Sequence, residues 1–137
     1  MPEKLRVVID TNIFVSAILF KGSANKVVNL WQKNKFIFLM SQEILNEYIK
    51  VLSYPKFRLT GGEITHIIEE EILPFINPVA VKTPVAIIEK DPSDNKFLSL
   101  AAEGKADRIV SGDKHLLELG EFRKIKIVSL QSFLSFY

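Results

Sequence analysis

Four acidic side chains stand where an acid can do chemistry rather than merely solubilise a surface. Asp10 follows the apolar run Leu5–Ile9 directly, in IDTN, and Asp113 follows Arg108–Val110 after Ser111-Gly112, in VSGD. Asp94 lies in DPSDNKF, in the first turn of a helix expected to start at Asp91-Pro92, where the helix dipole favours a carboxylate. Glu47 is mid-helix. At roughly 100° per residue it stands about 60° from Ile44 and about 40° from Val51, on the shoulder of an apolar stripe. Carboxylates that converge on one spot repel, so one or more must be protonated unless a cation intervenes. The chain has no cysteine, and neither histidine lies near a second ligand, so a shared site would be all-oxygen. Such a site suits Mg²⁺ or Mn²⁺. It can activate water for in-line attack on a phosphodiester while offsetting charge on the attacking and leaving oxygens.

Each acid also has a structural role open to it. Asp10 can cap the helix that follows, and Asp113 can cap the Lys114–Leu119 turn. Asp94 can complement the helix dipole with Asp91 as the cap, or Asp91 can replace it as a ligand. Glu47 taken alone reads as a solvated edge residue. Position joins them: two aspartates follow two apolar strands, each with short polar partners, Thr11-Asn12 and Ser111-Gly112. Charge points the same way. The 18 basic and 16 acidic side chains give a net +2, but setting the four acids aside leaves an excess of six positive charges. A mildly basic surface around an acidic pocket suits a polyanionic substrate.

The elements that must position these acids follow from apolar periodicity. Leu5–Ile9, Phe36–Met40, Arg108–Val110 and Ile125–Val128 read as buried strands, with Val79–Val81 and Ala86–Ile88 as short, Pro-punctuated candidates. Ser23 is expected to cap a helix carrying Val27, Val28, Leu30 and Trp31, and Ser41 one carrying Ile44, Leu45, Tyr48, Ile49 and Leu52. Thr60-Gly-Gly-Glu63 has the form of a capping box, opening a helix that should kink or stop near Pro74. Further helices are expected from Asp91-Pro92 to Gly104, over Asp113–Leu119 and over Leu130–Phe136. Apolar strands alternating with helices predict an α/β fold, a central parallel sheet of about 4–5 strands flanked by helices on both faces. In such sheets ligands collect beyond the carboxyl ends of the strands, which is where Asp10 and Asp113 fall.

The 137 residues are read as one domain, 1–137, long enough to bury a core without disulfides. No apolar run approaches the roughly 20 residues a bilayer span needs. Ile13–Phe20 lies behind Lys4 and Arg6 but has no small-residue cleavage site after it, so a cytoplasmic location is expected. Mean hydropathy is +0.16, and the tail Phe133–Tyr137 is apolar, so a homodimer is expected. A P-loop, a Gly-rich dinucleotide turn and a GxSxG elbow are absent. Aspartyl-phosphate chemistry needs a second acid two residues after Asp10, where this chain has Asn12. His66 reads as an exposed helix residue, and His115 lies near the pocket beside Asp113.

Four blocks, IDTNIFVSAIL, SQEILNEYIKVL, DPSDNKFLSLA and ADRIVSGDKHLL, occur in the order of a PIN-domain protein. The chain resembles the prokaryotic PIN proteins related to toxins of toxin–antitoxin pairs, along essentially its whole length. That resemblance implies a parallel sheet flanked by helices and a Mg²⁺- or Mn²⁺-dependent ribonuclease leaving 5′-phosphate and 3′-hydroxyl ends. It carries the family's four acids onto Asp10, Glu47, Asp94 and Asp113, and its polar pocket positions onto Asn12 and Ser111. It further implies an RNA substrate and an antitoxin partner protein. The alternative is a catalytically silent PIN fold acting as an RNA-binding or protein-interaction module. Asp10→Asn is expected to remove activity while leaving the fold intact, even stabilised, by relieving repulsion in the metal-free pocket.

Overall fold

Three-residue runs such as Val7-Val8-Ile9 and Phe38-Leu39-Met40 are apolar on both sides of the pleat, so they are stable only with cover on both faces. A computed structural model describes residues 4–20, 22–82 and 95–137. Among these, six strands form one sheet: β1 (Arg6–Ile9), β2 (Ile37–Met40), β3 (Ile76–Pro78), β4 (Arg108–Val110), β5 (Glu121–Phe122) and β6 (Ile125–Val128). Their order is β3-β2-β1-β4-β6-β5, parallel except for the β5–β6 pair at one edge. Helices α1 (Thr11–Leu19), α2 (Asn25–Gln32), α3 (Gln42–Leu52), α4 (Gly61–His66), α5 (Asn95–Glu103), α6 (Lys114–Leu119) and α7 (Leu130–Ser135) complete a three-layer α/β/α fold. The central strand residues are fully buried, as double cover requires.

β1 pairs with β2 on one side and with β4 on the other, Ile9 lying opposite Val110. The chain leaves β1 toward β2 and β3, then returns to β4 on the far side of β1. The carboxyl ends of β1 and β4 therefore feed connections that diverge, and a crevice opens between them. One rung beyond the strands, the Asp10 N–H still donates to the Val110 carbonyl at 3.0 Å, which fixes where Asp10 stands.

Aromatic packing locks α1 onto α3 beside this crevice. Phe14 and Tyr48 stack at 3.8 Å between centroids with their planes 2° apart. The buried Tyr48 hydroxyl donates to the Ile9 carbonyl at the end of β1, satisfying a backbone group that would otherwise be stranded. Glu47 immediately precedes Tyr48 in α3, so the contact that seats Tyr48 also brings Glu47 to the end of β1.

Several expected elements are displaced. Val79–Val81 is not a strand. The ladder beside β2 is Ile76–Pro78, because a 3₁₀ turn over Leu73–Phe75 delivers the chain straight into it, and proline is tolerated at that edge. Val79 adds one bond to Met40 and pairing ends. Ser23 does not cap α2. The chain enters α2 through a turn, with the Gly22 carbonyl accepting from Asn25 and the Ser23 carbonyl from Lys26, and Ala24 is the N-cap without a side-chain bond. The capping box at Thr60 and Glu63 forms in both directions, and its helix loosens into a π turn over Ile67–Ile72 before Pro74. The two-residue β5 makes the sheet wider than expected and gives it an antiparallel edge. The strand expected at Ala86–Ile88 and the helix start at Asp91-Pro92 lie outside the described residues.

Candidate active site

An open cleft of about 920 Å³ lies at the carboxyl edge of the sheet, and Asp10, Glu47 and Asp113 all line it, with Thr11 and Asn12. Acids 37, 66 and 103 positions apart in sequence are thus brought to one cleft by topology and by the seating of α3. Asp94 lies outside the described residues, as does Asp91.

Asp10 is both helix cap and cleft residue. Its Oδ1 accepts from the Ile13 N–H at 2.8 Å, capping α1. Its Oδ2 accepts from the Ser111 hydroxyl and from the Gly112 N–H at 3.1 Å. Burial pushes its carboxyl above the ordinary value of 3.8; the bonds from Ser111, Ile13 and Gly112 oppose the rise, and the negative charge of Asp113 adds to it. A buried carboxylate with a like charge beside it is a group that a cation would stabilise.

Asp113 repeats the arrangement one strand over. Its Oδ1 accepts from the His115 and Leu116 N–H groups at 2.8 and 3.2 Å, capping α6. Ser111 joins the two aspartates: wholly buried, it donates to Asp10 and accepts from the Asp113 N–H at 2.9 Å. It therefore supports the cleft from beneath and lines a neighbouring cavity instead. His115 contributes its backbone N–H here, and His66 is exposed on α4.

Glu47 is held differently, by side chains. Its Oε2 accepts from the Thr11 hydroxyl, and Lys96 Nζ lies 2.5 Å from its Oε1. The Lys96 side chain is 12% exposed and that of Glu47 26%. Sequence reading passed over Lys96; a lysine in the first turn of α5, where the dipole disfavours a cation, was the available signal. It also passed over the Tyr48 hydroxyl, whose phenol is pushed well above 10 by burial and then by the charges of Asp10 and Glu47.

Among the described residues, no three His, Cys, Asp or Glu side chains already stand in a metal-holding group. The donors nevertheless fit a hard divalent ion in kind. They are carboxylate oxygens, a hydroxyl and a carboxamide in one cleft, and among the described residues the hydrogen-bond partners of the buried Asp10 include no cation. Lys96 supplies one positive charge to the opposite wall.

A family model described as PIN domain matches residues 6–115. The chain is also similar to the uncharacterized protein MJ1680 of Methanocaldococcus jannaschii, 36% identical over 128 residues, a span covering 88% of this chain and 79% of that protein. The matched segment contains Asp10, Glu47 and Asp113 and the strands β1, β2 and β4. No helix among the described residues is long and apolar enough to cross a membrane.

Proposed function

Because this chain belongs to the PIN-domain family, a nuclease-type fold, we propose that it is a divalent-metal-dependent endoribonuclease. The observation that carries the reading is the cleft shared by Asp10, Glu47 and Asp113 at the β1–β4 switch point. Asp10, Glu47, Asp113 and, by its place in DPSDNKF, Asp94 would hold Mg²⁺ or Mn²⁺. Bound there, such an ion supplies charge neutralisation for phosphate oxygens and lowers the pKa of a water.

The chain's own groups do the rest. Ser111 and the Gly112 N–H hold the Asp10 carboxylate in one orientation, so little reorganisation is left for the reaction. Thr11 fixes one oxygen of Glu47, and Asn12, exposed on the first turn of α1, offers an amide N–H to a phosphate oxygen. The water oxygen forms a bond to phosphorus and the P–O3′ bond breaks. The leaving oxygen takes a proton, giving 5′-phosphate and 3′-hydroxyl ends. Lys96 has to release Glu47 for that carboxylate to serve an incoming cation.

The test is cleavage of an end-labelled single-stranded RNA in Mn²⁺ and in EDTA, with Asp113→Asn alongside. Asparagine caps helices as well as aspartate does, so this variant removes charge while keeping α6 capped. Cleavage that needs Mn²⁺ and disappears in the variant supports the proposal; cleavage surviving either change overturns it. A second reading, the silent binding module, draws on Lys96 already neutralising Glu47. Its outcome is RNA binding in EDTA without cleavage under any metal. A toxin-like role, with an antitoxin partner and a homodimer, is part of the proposal through the sequence resemblance. Growth arrest on induction, relieved by Asp113→Asn, is the result it requires.

A further inference from the structure

The cleft that holds the carboxylates does not end with them. One face of α1 runs along it from Asp10 and Thr11 through Val15 and Ser16 to Leu19 and Phe20. α3 lines the other side from Glu47 through Val51 to Tyr54 just beyond its end. At a rise of 1.5 Å per residue, the ten-residue path from Asp10 to Phe20 is about 15 Å long. The cleft is therefore a groove, acidic at one end and aromatic at the other.

Three rings stand at the aromatic end. Phe20 is 54% exposed and Tyr54 39%. Phe57 meets Phe20 edge-on at 6.3 Å, and all three line the cleft. Single exposed apolar side chains are ordinary, but three rings at one mouth form a patch. Cations accompany it. Lys56 lines the same cleft with its Nζ 5.1 Å from the Phe57 centroid, and exposed Arg58 follows in the left-handed conformation, φ 53°.

We infer that this end of the groove, Phe20, Tyr54 and Phe57 with Lys56, is a stacking platform for the unpaired bases of the RNA strand. The inference rests on the nuclease reading, since it takes the scissile phosphate to sit at the carboxylates. Rings interleaved with cations match single-stranded nucleic acid, because every base has a π face and every linkage a negative charge. Continuity with the carboxylate end selects this occupant over a protein helix. A strand whose phosphate reaches Asp10 must continue along the groove, and 15 Å takes at most about four nucleotides at the stacked spacing. Bases already stacked in a duplex have no free face for the rings, so the platform selects unpaired RNA.

The experiment is fluorescence anisotropy of a 5′-labelled oligouridine 12-mer with the full chain in EDTA, where no metal-dependent cleavage intervenes. Wild type is expected to bind it, and more tightly than a fully paired duplex of equal length. The Phe20→Ala/Tyr54→Ala double variant, altering two exposed rings and leaving the buried core intact, should lose at least about fivefold in affinity. Lys56→Gln should reduce the salt slope of binding by about 0.7. Affinity unchanged in the double variant, with its circular dichroism melt retained, overturns the platform. So does a double variant whose sedimentation mass changes while RNA affinity does not, which assigns the face to a second copy of the chain. Failure of the nuclease reading is seen separately, as wild-type cleavage persisting in Asp113→Asn whatever the platform variants do.

Discussion

The two walls of the carboxylate cleft are built in different ways. On the β1–β4 wall, Asp10 and Asp113 each commit one oxygen to a helix N-terminus and are joined through buried Ser111. Backbone positions set by the sheet hold this wall. On the α3–α5 wall, Glu47 is held by the Thr11 hydroxyl and the Lys96 ammonium, and a quarter of its side chain is open to water. The first wall is a fixed template, and the second is a set of exchangeable contacts. Reorganisation on ligand entry should therefore fall on Glu47 and Lys96, while Asp10 and Asp113 stay in place.

The largest expected effect tests the fixed wall. Asp113→Asn should lower metal-dependent RNA cleavage by more than about 100-fold in single-turnover assays, with an unchanged melting curve because the cap survives. Next, Ser111→Ala should destabilise by about 1–3 kcal/mol in urea titrations, since it strips a buried donor from Asp10 and an acceptor from Asp113. Thr11→Val, which strips one donor from the partly exposed Glu47, should cost about 1 kcal/mol or less. Equal costs would break the comparison.

Lys96→Met sharpens it further, because its two effects have opposite signs. Metal-free stability should fall by about 1 kcal/mol as Glu47 loses its partner, while Mn²⁺ affinity by calorimetry should rise about tenfold as a competing charge is removed. The smallest effect concerns pH. The Asp10 carboxyl is raised in the folded chain, so the fold binds its proton more tightly than the unfolded chain does. The corresponding stability is present below 3.8 and is lost as pH rises through the raised value. Metal-free wild type should therefore lose stability relative to Asp10→Asn across that window in denaturant titrations. The absolute gain expected for Asp10→Asn from relieved repulsion is reduced here. An asparagine keeping its oxygen toward Ile13 turns its NH₂ onto the Gly112 N–H.

Asp10 and Asp113 were legible in sequence because a junction of apolar strand, acid and helix leaves a side chain little freedom. The cap bonds expected of both are present, and the same two capped carboxylates line the cleft. Glu47 was legible by helical facing alone. Lys96 was not, because the facing of the first turn of α5 depends on where that helix starts and on its approach to α3. The Tyr48 hydroxyl was hidden for a similar reason: periodicity marks a ring as buried but says nothing of its polar end. The Tyr54–Arg58 segment carried no periodic signal; Tyr54 reaches the cleft as the chain leaves α3, and Phe57 packs against Phe20 there. Strand β3 was misread by three residues because proline and short length blur a ladder's ends.

Calorimetric titration of Mn²⁺ into wild type and Asp113→Asn tests the central claim, that acids from separate elements act as one cation site. Saturable binding by wild type, weakened at least about tenfold by a substitution that leaves the fold and the α6 cap intact, is the predicted result. Equal affinity in the two proteins would contradict it.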